Sequence, residues 1–260
     1  MQCKYKEKLI YAGDMIFGTV YGTFRKAGKR RGKFKETSDI QARNNARRAE
    51  NKLTEMIHAN FDRHSAAVSL TYDEGWYPES EERFDKDIRN YIARVKRLYK
   101  KADVECKYII IKAFGEKGRC HLHIIFSGGV DRDDLESAWE YGRTNADRLQ
   151  FNAQGVIDLS KYLADQRHAG KRRWSGSKNL VKPIEKTNEH RYSKRDLMEI
   201  MESGNPHKFF SDRYEGYWLS EFPEVQRNPI NGSYYMTFVM YRPDSLNLEP
   251  YARKRGKKRE

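Results

Sequence analysis

Two apolar runs joined by one short turn constrain this chain most. Glu105–Phe114 (ECKYIIIKAF) and Cys120–Gly128 (CHLHIIFSG) flank the turn GEKGR at Gly115–Arg119. Each run is too short for an independent buried helix and is rich in residues that favour extended backbone, so each reads as a strand. The glycine-containing turn closes them into an antiparallel hairpin. Strands this apolar need a cover, and one lies upstream. After Pro78 and a capping Ser80, residues Phe84, Ile88, Ile92, Val95 and Leu98 recur at helical spacing, the pattern of a helix packed on a sheet.

The remaining elements alternate around this centre. Lys8–Phe24 is expected to form a hairpin or two short strands, followed by the basic, glycine-containing stretch Arg25–Lys35. A helix capped by Thr37 or Ser38 should run to about Phe61, with Ile40, Ala46, Leu53 and Ile57 as a partial apolar stripe. Ala66–Tyr72 is a short strand, Asp131 caps a short helix, and another strand is expected near Arg148–Asn152. Asp158 caps LSKYLADQRH, and Ser193 caps KRDLMEIMESG. Phe209–Phe222 and Ser233–Arg242 read as strands. Strands and helices in this mixture predict an α+β fold with a mainly antiparallel central sheet and flanking helices. The expected organisation is residues 1–61 packed on or preceding a core at 62–192, residues 193–243 completing the same domain, and a disordered basic tail at 244–260.

Charge narrows the partners. Lysine and arginine number 51 against 37 acids, a formal net charge of +14. Such a surplus suits a polyanion. No apolar run is long enough to span a bilayer, and the N-terminus lacks a signal-peptide stretch. Nucleic acid is therefore the expected partner, and the cytoplasm the expected setting. Cys3, Cys106 and Cys120 form no CxxC pair, so neither a zinc knuckle nor a disulfide framework is expected. Arg25–Lys35 is either a solvated charge run or an arm that contacts phosphates.

The second apolar run carries the first chemical signal. Residues i and i+2 of a strand share a face, about 7 Å apart at Cα. His121 and His123 therefore project together, while Leu122 and Ile124 face the opposite way, as does Cys120. Two histidines on a wet strand face can arise by chance. They can also grip a divalent ion with coordination positions left open, which suits catalysis more than structure. A hard cation such as Mg²⁺ or Mn²⁺ would take phosphate oxygens there. A nucleophile is then needed. Tyr162 in LSKYLADQ lies on a polar-flanked helix before a basic loop, and Leu159 and Leu163 already supply that helix's apolar stripe. It is either one of 17 tyrosines packing the core or a phenol available for attack. Asp165 and Gln166, at i+3 and i+4, share its face and could complete a metal shell or simply be solvated.

These segments resemble the HUH endonucleases, the initiators of rolling-circle replication. GRCHLHIIFSG is similar to their His-hydrophobic-His motif, AVSLTY to their upstream strand motif, and KYLADQ to the helix bearing their nucleophilic tyrosine. The order agrees, with 39 residues from His123 to Tyr162. TSDIQARNNARRAENKL, KRRWSGSKNLVKP and GSYYMTFVMYR further resemble replication-associated proteins of bacterial phages and plasmids, especially those of Firmicutes.

The resemblance implies a ferredoxin-like or RRM-like antiparallel sheet with the histidines on a central strand. It implies that Tyr162 attacks single-stranded origin DNA, possibly presented in a hairpin, to give a 5′-phosphotyrosine link and a free 3′-hydroxyl. Two positions depart from the family. The usual strand glutamate falls near Ala113, and the lysine three residues after the tyrosine is Asp165. Gln166 matches the glutamine that single-tyrosine HUH transposases use, so it is the favoured third ligand, with Asp165 and Glu116 as alternatives. Arg119, Arg172 and Arg173 are candidate phosphate contacts, and Ser177 and Asn179 candidate donors to phosphate. Trp174 either stacks on a base or packs in the core. No P-loop is present, so a host helicase and polymerase would be required. Two other readings stay open: a transposase or mobilisation relaxase of the same chemistry, and a non-catalytic RRM-like nucleic-acid binder.

Overall fold

The computed structural model describes residues 3–23, 39–114, 119–152, 156, 174–228 and 232–243. In chain order its elements begin with β1 (Lys4–Ala12), β2 (Met15–Thr23), α1 (Asp39–Asn60), β3 (Ala66–Thr71) and α2 (Glu81–Lys101). β4 (Tyr108–Phe114), β5 (Cys120–Phe126), α3 (Arg132–Ser137), β6 (Thr144–Arg148) and β7 (Ser175–Gly176) follow. The last are β8 (Ile184–Glu189), α4 (Lys194–Glu202), α5 (His207–Arg213), β9 (Trp218–Leu219), β10 (Glu224–Arg227) and β11 (Tyr234–Tyr241). The fold is α+β, as expected. Its strands divide between two antiparallel sheets, neither closed into a barrel, in two compact units.

One unit holds the histidine pair. Its sheet has the order β6-β3-β5-β4-β7, so β5 is central. β3-α2-β4-β5-α3-β6 is a split βαβ arrangement of ferredoxin-like type. The sequence builds it locally. Ser80 caps α2 by accepting from Arg83 N–H at 3.2 Å, and Phe84, Ile88, Tyr91, Ile92, Val95 and Tyr99 form its buried stripe. That stripe meets Val68, Leu70, Leu122, Ile124 and Phe126 on one face of the sheet. Each fully buried aliphatic or aromatic side chain contributes roughly 1.5–3 kcal/mol. Leu53, Met56 and Ile57 of α1 cover Ile109, Ile111 and Ile125 on the other face.

The second unit has the sheet order β10-β11-β2-β1-β8, with β9 also paired to β11. α4 and α5 supply Leu197, Ile200 and Phe210 to its core. Ser193 caps α4 in a reciprocal box with Asp196. Glu7 is buried there, accepting hydrogen bonds from Tyr214 Oη and from Asn188 Nδ2 (2.5 Å), with Arg191 at 3.7 Å.

Three local expectations are corrected. The stretch expected as a strand from Phe209 contributes instead to α5, followed only by the two-residue β9. Phe210 and Tyr214 stack four residues apart, a helical rather than an alternating period. The strand expected near Arg148–Asn152 lies earlier, at Thr144–Arg148. β8 and β10 come from stretches with no strand signal of their own. The tail at 244–260 and the helix expected around Tyr162 lie outside the described residues. Among the described residues no helix is long and apolar enough to cross a membrane.

Candidate active site

The β4–β5 and β3–β5 registers build the site. His121 pairs with Thr71 on one side and Ala113 on the other, and His123 pairs with Ser69 and Ile111. Paired residues share a face, so Ser69, Thr71, His121, His123, Ile111 and Ala113 all point to the side that α1 partly covers. The two imidazole rings stand edge to face, with centroids 5.1 Å apart. Leu122 and Ile124 pack on the α2 side, and Cys120 belongs to the same cluster. The parallel projection expected from strand parity is what the register delivers.

Burial differentiates the pair. His123 is 8% exposed, while His121 is half-buried. Burial, reinforced by the neighbouring His121, pushes the His123 imidazole down to about 4, so it is neutral at physiological pH. Ser69 Oγ lies 3.0 Å from His123 Nδ1. In the tautomer with its proton on Nδ1, His123 donates to Ser69 and turns the Nε2 lone pair toward a cation. Such an outer hydrogen bond commonly orients metal-ligating histidines. Two neutral, co-facial imidazoles, one of them oriented by a hydroxyl, suit a divalent cation needing further donors. Among the described residues no group of three or more His, Cys, Asp or Glu gathers to hold a metal. Ala113 occupies the paired position where a carboxylate could have served. Gln166, Asp165 and Glu116, the candidate third ligands, lie outside the described residues, as do Tyr162, Arg172 and Arg173.

The other expected residues fall in two places. Arg119 precedes β5 and lines a cleft of about 410 Å³ together with His121, Thr71, Tyr77 and Arg143. Trp174, Ser177 and Asn179 lie against the opposite end of β4. Ser177 Oγ accepts from Tyr108 N–H at 3.2 Å, and Asn179 Nδ2 donates to Cys106 O at 3.1 Å. Trp174 packs against the cluster of Ile109, Ile111 and Leu53. β7 pairs with Ile109 and Ile110, about 10 Å along β4 from Ala113 at the usual rise per residue. The structure therefore joins Arg119 to the histidines and keeps these three at the far end of the strand.

Four residues were not anticipated. Ser69 was legible in principle, because in AAVSLTY it shares the strand parity of the face opposite Val68 and Leu70. Tyr77 is held to β5 by accepting from Cys120 N–H at 2.8 Å, and Arg143 enters from a loop beside β6. Neither carries a sequence signal. His58 of α1 is 6% exposed, and burial pushes its imidazole down to about 4. Its Nε2 accepts from Val156 N–H at 3.2 Å, six positions before Tyr162 in the chain.

Comparison with known proteins adds to this geometry. No curated protein and no solved structure matches the chain. Residues 65–167, a span that includes β3, both histidines and Tyr162, match the family model for replication-associated protein ORF2. This part of the chain is thus similar to replication-associated proteins and consistent with a rolling-circle replication initiator.

Proposed function

We propose that the chain is a metal-dependent HUH endonuclease that nicks single-stranded origin DNA and rejoins it, initiating rolling-circle replication in a phage or plasmid of a bacterial host, of Firmicutes type. The observation that carries this reading is on β5: two co-facial imidazoles on a central strand, one oriented by Ser69, within the stretch similar to replication-associated proteins.

Mn²⁺ or Mg²⁺ held by His121 and His123, with Gln166 as third donor and Asp165 or Glu116 as alternatives, supplies Lewis-acid polarisation of the scissile phosphate. Tyr162 is the nucleophile. Its phenolic oxygen bonds to phosphorus, the bond from phosphorus to the 3′-oxygen breaks, and the phosphate stays joined to Tyr162 through its 5′ side. The proton lost by the phenol is matched by the one taken up by the departing 3′-oxygen, so the step is balanced and leaves a 3′-hydroxyl for a host polymerase. The reverse step rejoins the strand without a nucleotide cofactor, because the phosphotyrosine bond conserves the phosphodiester energy. Arg119, Arg172 and Arg173 neutralise phosphates. Strand separation falls to a host helicase.

The test is to incubate the protein with a labelled pool of random single-stranded oligonucleotides and Mn²⁺, then denature. A labelled band at the protein's mass is expected, and its abolition by EDTA. A pool that yields no protein-linked label under any metal condition counts against nicking and favours a binding protein.

A further inference from the structure

We infer that the cleft beside His121 is a nucleotide subsite, taking one unpaired deoxynucleotide with its base against Tyr77 and its flanking phosphates on Arg119 and Arg143. It deepens the nicking reading, on which the choice of DNA as occupant rests.

The cleft is built where β3 and β5 end together, since Thr71 and His121 pair at that point. Its volume, about 410 Å³, falls in the range of small-ligand pockets. One wall is the turn running from Asp73 to Tyr77. That wall is fastened to β5 because Tyr77 Oη accepts from Cys120 N–H at 2.8 Å, next to His121 in the chain. Tyr77 nevertheless leaves 40% of its surface exposed, and its neighbour Trp76 leaves 53%. Both rings are backed by others. Tyr77 meets Tyr72 edge-on at 6.1 Å, Trp76 lies 5.8 Å from Tyr141, and Tyr72 and Trp139 meet at 5.1 Å. A supported aromatic surface facing solvent loses little freedom when a base stacks on it, and every base offers a π-face.

The charges fit the same occupant. Arg119 reaches Glu74 at 3.7 Å and Arg143 reaches Asp73 at 3.8 Å, both longer than good hydrogen bonds and largely exposed. Such pairs are weak and exchangeable. A phosphate offers an arginine shorter, bidentate contact. Asp73 and Glu74 therefore hold the two guanidinium groups at the cleft until phosphates displace them. Removing either acid should help binding, which no purely structural role for these residues predicts.

The experiment measures binding of fluorescein-labelled oligothymidylate by anisotropy, in EDTA so that nothing is cleaved, using the full chain. Tyr77→Leu should weaken binding by about 5-fold or more, while Tyr77→Phe keeps the ring and the affinity. Arg119→Ala with Arg143→Ala should lower the slope of log affinity against log salt by about 1.4, near 0.7 for each single-strand phosphate that is no longer neutralised. Asp73→Asn with Glu74→Gln should tighten binding. Should Tyr77→Leu fail to fold, the acid-to-amide variant still decides, since both acids are on the surface. An unchanged salt slope in the arginine variant, or weaker binding in the acid-to-amide variant, would overturn the subsite. The same preparations are assayed for adduct with Mn²⁺. An adduct formed alongside unmoved binding removes the subsite alone. No adduct from the wild type alongside the expected binding shifts removes nicking and keeps the subsite as a single-strand contact.

Discussion

Ala113 stands directly across the β4–β5 ladder from His121, fully buried and on the same face of the sheet. A carboxylate at this position would reach toward both imidazoles. Ala113→Glu is therefore expected to be destabilised without metal, by about 1–3 kcal/mol for a poorly compensated buried polar group. Added Mn²⁺ should raise its melting temperature more than that of the wild type, because a ligand that binds only the folded state stabilises it. Thermal melts with Mn²⁺ and with EDTA check this. A variant whose melting temperature ignores Mn²⁺ speaks against the histidine pair as a cation site.

Ser69 tests the orientation of His123. Ser69→Ala removes the partner of Nδ1 and is expected to weaken Mn²⁺ binding by roughly 10–100-fold. Its cost in stability should be only about 1 kcal/mol, that of one hydrogen bond. Calorimetric titration with Mn²⁺ separates the two effects. Wild-type affinity in this variant would mean the hydroxyl does not orient the ligand.

His58 and His123 set a pH dependence. Burial holds both imidazoles at about 4 in the folded state, below the ordinary value near 6.5 in the unfolded chain. Above pH 6.5 both states are neutral and stability is constant. Between about 6.5 and 4 the unfolded chain takes up protons that the folded state refuses, so stability falls as pH falls. Each imidazole accounts for up to roughly 3 kcal/mol across that window. His58→Gln should flatten the lower part of the stability–pH curve, and His123 should leave a residual slope. Denaturant melts from pH 7 to 4 measure it, and a wild-type stability that rises on acidification through this window would contradict the assignment.

Gly18 marks the tightest approach in the β1–β2 unit. It pairs with Phe238 of β11, and a Cβ there would lie 2.1 Å from the Phe238 ring. Gly18→Ala is expected to cost about 1–3 kcal/mol by overpacking. Hydrogen exchange should show lower protection in β2 and β11. Full protection with an unchanged melting temperature would show that the ring moves aside freely.

What could be read in advance followed from local chemistry. The hairpin was legible because two apolar runs flank a glycine turn, and α2 because its apolar residues recur every three or four positions behind Ser80. The shared face of His121 and His123 follows from strand parity alone. What escaped depends on partners distant in the chain. β8 (IEKTNE) is an exposed edge strand whose main signal is its ladder with β1, from Lys6–Glu189 to Tyr11–Ile184. Aromatic content misled at Phe209–Tyr214, where the rings serve a helix face. Arg143 and Tyr77 reach the cleft through loops that no periodicity describes. Ala113 is legible as the place of a missing ligand, and the register gives the reason it matters: it is His121's own partner.

The central claim is a tyrosine nucleophile acting with the β5 histidines. Its most direct measurement is to digest the Mn²⁺-dependent protein–DNA adduct with trypsin and locate the attached nucleotide by mass spectrometry. The account predicts a 5′-phosphotyrosine at Tyr162, absent in Tyr162→Phe and in His121→Ala with His123→Ala. Attachment at Tyr77 or any other residue, or an adduct that persists in Tyr162→Phe, would contradict it.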